Sequence, residues 1–349
     1  MAGQRPGYWS EPGAARALTD PTISRRSGTT SCRRKRSPLS PPSPPPGALA
    51  TLVHPHRRRR VKILRTITEL RAELKQHTDA GSTVGFVPTM GAFHEGHTSL
   101  MRAARQQHDI VVVSLFVNPS QFPDRAVFDR YPRDERRDAA MAEAEGVDML
   151  FAPLVEEIYP KGFATVVSVE GELADTLLKT KLSMDGQLTG MCTIIVKLLN
   201  IVQPTTVFFG EKDLPHWIAV ERMAADLNLP AEIVVLPTVR ECDGLAMSSR
   251  NVHLGEHRER AGCVPSALRA ALDTASSGMR DPQLARDRAL AELAVAHVEV
   301  DYVEILNART LRVITDLSEP AVIAIGARVG GVPLLDIART HPPATPTVA

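Results

Sequence analysis

The amino-acid sequence predicts an α/β fold with a mostly parallel sheet, followed by a smaller C-terminal α+β domain. Between residues 61 and 238, short apolar runs rich in β-branched residues alternate with amphipathic segments of helical spacing. This alternation is typical of parallel strands connected by helices. After residue 238, two Ala-rich helical segments precede three apolar runs, which indicates a second unit. We therefore expect domains at 61–238 and 239–341.

The segment 1–60 differs in composition from the rest of the chain. It holds 12 Lys/Arg against 2 Asp/Glu, which leaves 29 basic and 38 acidic residues elsewhere. Its proline-rich stretch 37–48 is incompatible with a helix or an inner strand. We expect 1–60 to be a disordered basic extension that activity does not require, and 342–349 to be a short tail. We expect no specific nucleic-acid partner and no membrane span, since no apolar run approaches the roughly 20 residues that a span needs.

The first predicted elements enclose a glycine-bearing turn. A helix is expected over 67–81, where apolar residues recur at helical spacing before a glycine stop. The apolar run 84–88 predicts a strand, and 96–107 predicts the helix that follows it. The continuous β-branched run 110–118 predicts a strand buried on both faces.

The remaining elements follow from the same two patterns. In the first domain, short apolar runs predict strands and amphipathic segments predict helices. We expect helices at 133–145, 188–202 and 213–227, and strands at 147–153, 164–170, 205–210 and 231–237. The turn-rich segment 238–254 separates the domains. After it we expect helices near 256–276 and 281–297, and strands at 300–306, 321–330 and 332–338.

The turn after the strand 84–88 has the composition of a phosphate site. His94 and His97 flank Gly96 at the start of a predicted helix. A helix N-terminus offers free N–H groups and a partial positive charge to an anion, and two imidazoles could add hydrogen bonds. The spacing H-E-x-H is not the H-E-x-x-H of zinc helices, and the four cysteines form no C-x-x-C pair. We expect phosphate binding here and no metal site.

Three further polar segments follow predicted strands, where ligands of open α/β sheets bind. Asn118 and Gln121 carry amides suited to a substrate's hydroxyl or carboxylate groups. Lys212 could meet phosphate oxygens, and Asp213 could cap a helix or hold a ribose. Arg250 could stabilise charge at an α-phosphate and on leaving pyrophosphate. Each segment, taken alone, also fits an ordinary turn or surface loop.

Together these segments form an ordered set of motifs. In chain order they are TMGAFHEGH (89–97), FVNPSQF (116–122), DRYPR (129–133), KLLNIVQP (197–204), FFGEKD (208–213) and PTVRECDGLAMSSRN (237–251). This set closely resembles the pantothenate synthetase (pantoate–β-alanine ligase) family of the nucleotidylyltransferase superfamily, over about residues 62–340. The resemblance implies a Rossmann-like nucleotide-binding domain and a C-terminal domain that closes over ATP.

The resemblance also implies a two-step reaction. The carboxylate of pantoate attacks the α-phosphate of Mg-ATP, which gives pantoyl adenylate and pyrophosphate. The amine of β-alanine then attacks the adenylate, which gives pantothenate and AMP. The implied partners are ATP with Mg²⁺, pantoate and β-alanine, and the family implies a homodimer in the cytoplasm.

The functional residues follow by motif. His97 takes the role of proton donor, with His94, Lys212 and Arg250 as the other catalytic residues. Gln121, Asn118 and His216 are the expected contacts to the acid substrate. The implied ATP site comprises Pro88, Thr89, Met90, Gly91, His94, Gly96, His97, Gly210, Glu211, Lys212, Asp213, Val239, Met247, Ser248, Ser249 and Arg250.

Three departures from the family pattern lie on the acid-substrate side. Met184 stands where the family usually has arginine, and Gln187 where it has histidine. His216 occupies the position of a pantoate-binding glutamine, and the segment 123–125 replaces a glycine-bearing loop. Two alternatives therefore stay open: a nucleotide-binding homologue with little or no ligase activity, and an adenylate-forming ligase for another small acid.

Overall fold

The computed structural model describes residues 60–122, 124–182 and 187–340. The predicted tail 342–349 and, apart from Arg60, the predicted extension 1–60 lie outside these ranges. Pro123 and Met184, which belong to two of the departures from the family pattern, also lie outside them.

A six-stranded parallel sheet confirms the predicted α/β class. The strand order is β1-β4-β3-β2-β5-β6, and every neighbouring pair is parallel. The strands are β1 Lys62–Leu64, β2 Val84–Thr89, β3 Ile110–Leu115, β4 Met149–Phe151, β5 Thr206–Gly210 and β6 Glu232–Leu236. The chain runs outward from β2 through β3 and β4, then returns to the other side of β2. The strand order therefore reverses between β2 and β5, the point at which such sheets bind ligands.

Helices cover both faces of this sheet. They are α1 Ile67–Thr78, α2 Glu95–Gln107, α3 Arg125–Arg130, α4 Glu135–Ala144, α5 Val155–Ile158, α6 Glu172–Lys179, α7 Gln187–Val202 and α8 Leu214–Asp226. Successive strand residues alternate between two cores, as the pleat requires. Phe86 packs in the core shared with α1, α7 and α8, whereas Val87 packs in the core shared with α2 and α4. This confirms that the central strands are buried on both faces.

The predicted strand over 164–170 is wrong. This segment is irregular, and its backbone bonds to a helix side chain instead of to a neighbouring strand. The N–H of Val167 donates to Thr193 Oγ1 at 2.9 Å, and the same hydroxyl donates to the Val167 carbonyl at 3.3 Å. Val169 is buried in the core beside α7. The apolar pattern thus reflects packing on α7. The structure also ends β3 at Leu115, three residues before the predicted end.

A smaller unit follows the last parallel strand. Its helices are α9 Arg258–Ala261, α10 Cys263–Ser276 and α11 Pro282–Val295, and its strands are β7 Glu299–Asn307, β8 Ala321–Val329 and β9 Val332–Arg339. The three strands form an antiparallel sheet in the order β7-β8-β9. Ile323 and Ile325 pack against α10 and α11, while Val322 and Ala324 join the core of the first sheet. This confirms the predicted α+β unit. The domain boundary near residue 238 stays a prediction.

Candidate active site

The turn that follows β2 adopts left-handed backbone conformations. Gly91 has a φ of +88° and Ala92 a φ of +54°. A Cβ atom on Gly91 would lie 2.5 Å from Leu115 Cδ1, so a larger residue would have to displace Leu115 and adopt a strained backbone there. The carboxylate of Asp138, buried on α4, accepts the backbone N–H groups of Ala92 and Phe93 at 2.8 Å each. This turn directs the chain from the end of β2 into α2.

His94 and His97 are fixed at the N-terminus of α2. The Nδ1 atom of His94 accepts the N–H of Gly96 at 3.1 Å, and the Nδ1 atom of His97 accepts the N–H of His94 at 3.3 Å. The two imidazole rings lie 4.1 Å apart. A Cβ atom on Gly96 would lie 2.8 Å from His94 Cε1. The absence of a side chain at Gly96 therefore lets the His94 ring fold over the start of the helix.

Both histidines are neutral hydrogen-bond donors in this arrangement. Because each Nδ1 atom accepts a hydrogen bond, the proton of each neutral ring is on Nε2. Burial, with a smaller effect of the Lys212 charge, lowers the pKa of His94 to about 4. Burial and then the neighbouring His94 and Lys212 lower the pKa of His97 well below its usual value. Two Nε2–H donors at a helix N-terminus suit a phosphate group.

The turn after β5 brings a cation to the same place. Gly210 ends β5, and residues Glu211–Asp213 form a short 3-10 turn that leads into α8. The Nζ atom of Lys212 donates a hydrogen bond to the carbonyl oxygen of Met247. Burial lowers the pKa of this ammonium group. Lys212 therefore joins the turn after β5 to the segment that follows β6.

The two acidic residues of this turn face different surroundings. The carboxylate of Glu211 forms an ion pair with Arg339 of β9 at 3.2 Å, and the Glu211 carbonyl accepts Trp217 Nε1 at 3.3 Å. The Glu211 side chain is thus held by protein groups, whereas the side chain of Asp213 is exposed at the start of α8. Of the two, Asp213 is the carboxylate that a ligand could reach.

The segment 239–247 folds back on itself and completes this junction. The N–H of Met247 donates to the carbonyl of Val239 at 3.0 Å, and the N–H of Glu241 donates to the carbonyl of Leu245 at 2.8 Å. Met247 Cβ lies 3.9 Å from the position that a Cβ atom on Gly96 would take. Met247 therefore lies beside the histidine turn and, through its carbonyl, accepts a hydrogen bond from the lysine turn. Three of the four segments singled out from the sequence meet here.

Aromatic residues connect the remaining segment, the loop after β3, to this junction. The hydroxyl of Ser248 accepts the N–H of Arg250 at 3.3 Å and so begins the 3-10 turn that carries Arg250. The hydroxyl of Tyr131 is hydrogen-bonded to Ser249, although burial raises the pKa of Tyr131 overall. The Tyr131 ring lies 5.7 Å from that of Phe122, the residue after Gln121. The loop after β3 thereby reaches the serine–arginine segment.

An ion pair joins the segment 239–247 to the C-terminal sheet. The guanidinium of Arg240 donates two hydrogen bonds to the carboxylate of Asp336 on β9, at 2.6 and 3.0 Å. Asp336 is fully buried, and burial raises its pKa while Arg240 opposes that shift. Breaking a buried pair of this kind strands one charge without compensation. The pair therefore holds the segment beside Lys212 against β9.

The amide of Asn118 is hydrogen-bonded to protein partners, so its role as a substrate contact stays a prediction. Its Nδ2 donates to Gln121 Oε1 and to the Gly190 carbonyl at 3.1 Å each. Its Oδ1 accepts the hydroxyls of Tyr159 and Ser120 at 2.9 Å each. The residue is 1% exposed. Asn118 orients Gln121, whose Nε2 donates to no described residue.

Gly190 and His216 belong to the two helices that carry the predicted acid-substrate side. A Cβ atom on Gly190 of α7 would lie 2.4 Å from the carbonyl oxygen of Ser120, so the loop after β3 is seated directly on the helix. His216 lies in the first turn of α8. Burial lowers the pKa of His216, with the Arg250 charge adding to this and Asp213 opposing it. His216 is therefore a neutral side chain within electrostatic range of Arg250.

Pro88, Thr89 and Met90 complete the first segment. Pro88 and Thr89 are the last residues of β2, and Thr89 Oγ1 donates to the Ser114 carbonyl of β3. Met90 and Gly91 border a cavity of about 250 Å³ whose lining does not include either histidine. Thr89 therefore links the carboxyl end of β2 to that of β3, and Met90 is the first residue of the turn after β2.

Comparison with known proteins identifies the family. The profile described as Pantoate-beta-alanine ligase matches residues 62–339. The chain belongs to the pantoate–β-alanine ligase family. The pantothenate synthetase of Pelotomaculum thermopropionicum is 44% identical over 279 residues, which cover 78% of this chain and 97% of that protein. The pantothenate synthetase of Moorella thermoacetica is also 44% identical over 279 residues, which cover 79% of this chain and 97% of that protein.

Solved structures of pantoate–β-alanine ligases agree with the fold. The pantothenate synthetase of Thermus thermophilus has a TM-score of 0.75 and 42% identity, covering 81% of this chain and 100% of that one. The Francisella tularensis pantoate–β-alanine ligase, complexed with Beta-gamma ATP and β-alanine, has a TM-score of 0.66 and 29% identity. The match covers 80% of this chain and 98% of that one. These comparisons confirm the resemblance found in the motifs.

Several residues that shape this ligase-family site were not singled out from the sequence. Asp138 lies four residues before the buried Ala142, so a carboxylate at a core position of α4 was a usable signal. Gly190 lies inside α7, where glycine costs about 1 kcal/mol relative to alanine and so calls for a packing reason. Asp336 lies between the apolar residues Leu335 and Ile337 of β9. In each case the signal is a residue type that conflicts with its own element.

Neither a protein metal cluster nor a membrane span occurs in the described ranges. In residues 60–122, 124–182 and 187–340, no group of three or more His, Cys, Asp or Glu could hold a metal ion. No helix within the same ranges has the length and apolar character needed to cross a bilayer.

Proposed function

We propose that this chain is an ATP-dependent ligase that condenses pantoate with β-alanine through a pantoyl adenylate. Membership of the pantoate–β-alanine ligase family supports the reaction. The observation that carries the proposal is the junction at Met247, where the histidine turn and Lys212 meet at the switch point of the sheet. Neutral donors and a cation around one point suit the triphosphate of ATP.

In the first step, the triphosphate lies over the N-terminus of α2. His94 and His97 donate their Nε2–H groups to phosphate oxygens, and Lys212 and Arg250 neutralise negative charge. A carboxylate oxygen of pantoate bonds to the α-phosphorus as the bond to the bridging oxygen breaks. Pyrophosphate leaves with that electron pair. The protein forms no covalent bond, so positioning and charge stabilisation provide the catalysis.

His97 acts as the proton donor of this step. It is neutral in the free protein because burial and Lys212 disfavour a charged ring. The negative charge of a bound triphosphate works in the opposite direction and raises the pKa of a nearby imidazole. His97 can therefore share its Nε2 proton with a phosphate oxygen as pyrophosphate departs, while its Nδ1 keeps the hydrogen bond from the His94 N–H.

The acid substrate binds on the side of Gln121 and His216. The Nε2 group of Gln121, oriented by Asn118, donates to pantoate. His216 is neutral and can offer one ring N–H where the family has a glutamine amide. In the second step the amine of β-alanine bonds to the acyl carbon as the bond to the phosphate oxygen breaks. AMP leaves with that electron pair, and the nitrogen releases a proton to solvent.

Mg²⁺ enters this reaction with ATP. The described residues contain no cluster that would hold a metal by itself. Mg²⁺ usually keeps several waters and binds through substrate phosphates plus one or two carboxylates. The exposed carboxylate of Asp213, beside Lys212, is the group of the proposed site that fits this requirement.

Pyrophosphate–ATP exchange with the acid varied tests the proposal. Exchange that depends on pantoate, followed by pantothenate formation when β-alanine is added, is the expected result. Tight ATP binding without exchange for any acid would instead favour the nucleotide-binding homologue. Exchange with another small hydroxy acid, but not with pantoate, would favour a ligase for that acid.

Substitution of His216 tests the acid side separately. His216→Gln restores the family's amide and should leave the KM for pantoate within about threefold, whereas His216→Ala removes the hydrogen bond and should raise it about tenfold. His77→Gln, on α1 away from the site, is the matched control. An unchanged KM in the alanine variant would remove His216 from pantoate binding.

The family resemblance also supports a homodimer, a cytoplasmic location and closure of the domain 239–341 over ATP. Light scattering of the purified full chain measures the oligomeric state. Fractionation of cells that express the full chain measures its location. Small-angle scattering with and without ATP tests the closure, which should make the particle more compact.

A further inference from the structure

Asp138 places a buried carboxylate behind the turn between β2 and α2. Its Oδ2 accepts the N–H of Ala92 and its Oδ1 accepts the N–H of Phe93, at 2.8 Å each. The residue is 1% exposed, and no described Lys, Arg or His side chain forms an ion pair with it. The two backbone N–H groups are therefore the main compensation for its burial.

The turn requires such support. Ala92 has a φ of +54°, a left-handed conformation that a residue with a Cβ atom adopts at a cost. Conformations of this kind persist where the surroundings determine them strongly. Without Asp138, the N–H groups of Ala92 and Phe93 would lose their partners inside the protein. The preceding Gly91 packs so closely that a Cβ atom there would lie 3.0 Å from Asp138 Oδ2.

The same turn sets the position of both histidines. Phe93 is 1% exposed, and its ring lies 5.5 Å from the ring of His97. The next residue, His94, caps α2 with its side chain, and its N–H donates to His97 Nδ1. A displacement of the Phe93 backbone would therefore move the cap, the hydrogen bond and the stacking partner of His97 together.

We infer that Asp138 is a positioning residue that sets the location of the His94–His97 pair by holding the two N–H groups of the turn. This inference rests on the proposed function for what the pair binds, but the geometry of the pair can be measured without substrate. Among the described residues, no hydrogen bond or ion pair joins Asp138 to either histidine ring, so it acts through the backbone. It therefore assists the adenylation step without contacting ATP.

Three variants test this role. Asp138→Ala removes both acceptors. Asp138→Asn keeps one acceptor and turns an NH₂ group toward the other N–H. Asp138→Glu keeps the charge but moves the carboxylate by one methylene. Each should lower the kcat of pantoate-dependent exchange about 10- to 100-fold, since a displacement of about 1 Å can cost 100-fold. The KM for pantoate should stay near the wild-type value, because no hydrogen bond among the described residues joins Gln121 or His216 to the turn.

Asp148→Asn is the matched control. Asp148 also accepts a backbone N–H, from Val111 at 2.9 Å, and pairs with Arg105 at 2.8 Å. It lies at the amino end of the strands, at the edge of the sheet opposite the histidines. This variant should lose stability and keep the wild-type kcat. A purely structural role for Asp138 would give the same result in its own variants.

The ¹⁵N chemical shifts of the imidazole nitrogens provide a readout that needs no substrate. In the wild type, His94 and His97 should show Nδ1 as acceptor and Nε2 as donor, and Asp138→Asn and Asp138→Glu should change both signals while His77 stays constant. Folded Asn and Glu variants with unchanged kcat and unchanged histidine signals would overturn the inference. If the wild-type protein shows no exchange with any acid, the proposed function fails, while the ¹⁵N shifts still decide the role of Asp138. If only the wild type and Asp148→Asn fold, circular dichroism will show it, and Asp138 is then a folding residue and the inference is wrong.

Discussion

Replacing Gly96 with alanine should separate catalysis from stability. The added Cβ atom would lie 2.8 Å from His94 Cε1 and 2.9 Å from His94 Nδ1. Ordinary contacts begin near 3.4 Å, so the ring has to move by at least about 0.6 Å. The hydrogen bond from the Gly96 N–H to His94 Nδ1, 3.1 Å long, would be lost as the ring moves.

The effects on the free energy of unfolding nearly cancel. Alanine favours a helix over glycine by up to about 1 kcal/mol. Loss of the N-terminal cap costs about 1 kcal/mol. The net change should therefore stay within about 1 kcal/mol of zero. Adenylation is more sensitive, because a displaced donor no longer meets the phosphate, and we expect a 10- to 100-fold lower kcat, or about 1.4 to 2.7 kcal/mol in the barrier.

Pyrophosphate exchange and urea unfolding measure the two quantities on the same preparation. The double variant His94→Ala/Gly96→Ala supplies the control, because the alanine at 96 has no imidazole to displace there. We expect Gly96→Ala to add little to the loss caused by His94→Ala alone. Losses in kcat that multiply in the double variant, or a wild-type kcat in Gly96→Ala, would refute the argument that Gly96 acts through His94.

Three further predictions concern single side chains. His97→Ala should lower pantoate-dependent exchange at least about 100-fold in steady-state assays, and a near-wild-type rate would remove His97 from catalysis. The pKa of His94 is about 4 in the folded protein and about 6.5 in the unfolded chain. Keeping the ring neutral in the fold therefore costs no free energy above pH 6.5, and the free energy of unfolding decreases as the pH falls from 6.5 toward 4. Between pH 8 and pH 5, the free energy of unfolding in urea should decrease by about 2 kcal/mol more for the wild type than for His94→Asn, whose asparagine can still cap α2. Equal decreases in the two proteins would contradict this. Arg240→Ala leaves Asp336 buried and unpaired and should cost about 3 kcal/mol in urea unfolding, against less than about 0.5 kcal/mol for Arg222→Ala in an exposed pair; equal costs would contradict the argument.

The strand and helix patterns of the sequence predicted much of the fold, because a strand buried on two faces requires a continuous run of apolar residues. Residues 110–115 are β-branched and apolar almost throughout, as a central parallel strand requires. An apolar run also predicted a strand at 164–170, and this prediction was wrong. The run alone does not show whether its backbone will bond to a neighbouring strand or to the Thr193 hydroxyl. β1, Lys62–Leu64, is too short to show any periodicity.

The site was predictable where residue type and chemistry coincide. Two histidines at a helix start, and a lysine after a strand, are residue types that suit phosphate binding, and the structure brings Lys212 within electrostatic range of both histidines. Asn118 shows the limit, because an amide that binds substrate and an amide that binds the Gly190 carbonyl look identical in sequence. Asp138 lies more than 40 residues from the turn that it supports, so only the fold brings the two together.

The choice of histidine at positions 94 and 97 follows from the charges around them. Lys212 already lies beside the pair, and Arg250 is carried by the segment that begins at Met247. A lysine at either histidine position would add a cation beside Lys212, whose charged form burial already disfavours, and like charges at short range repel strongly where water is scarce. A neutral imidazole still donates a hydrogen bond through Nε2 without adding a charge, while its Nδ1 accepts a backbone N–H. Under the proposed function, the pair thus supplies two donors to the triphosphate without adding cations beside Lys212.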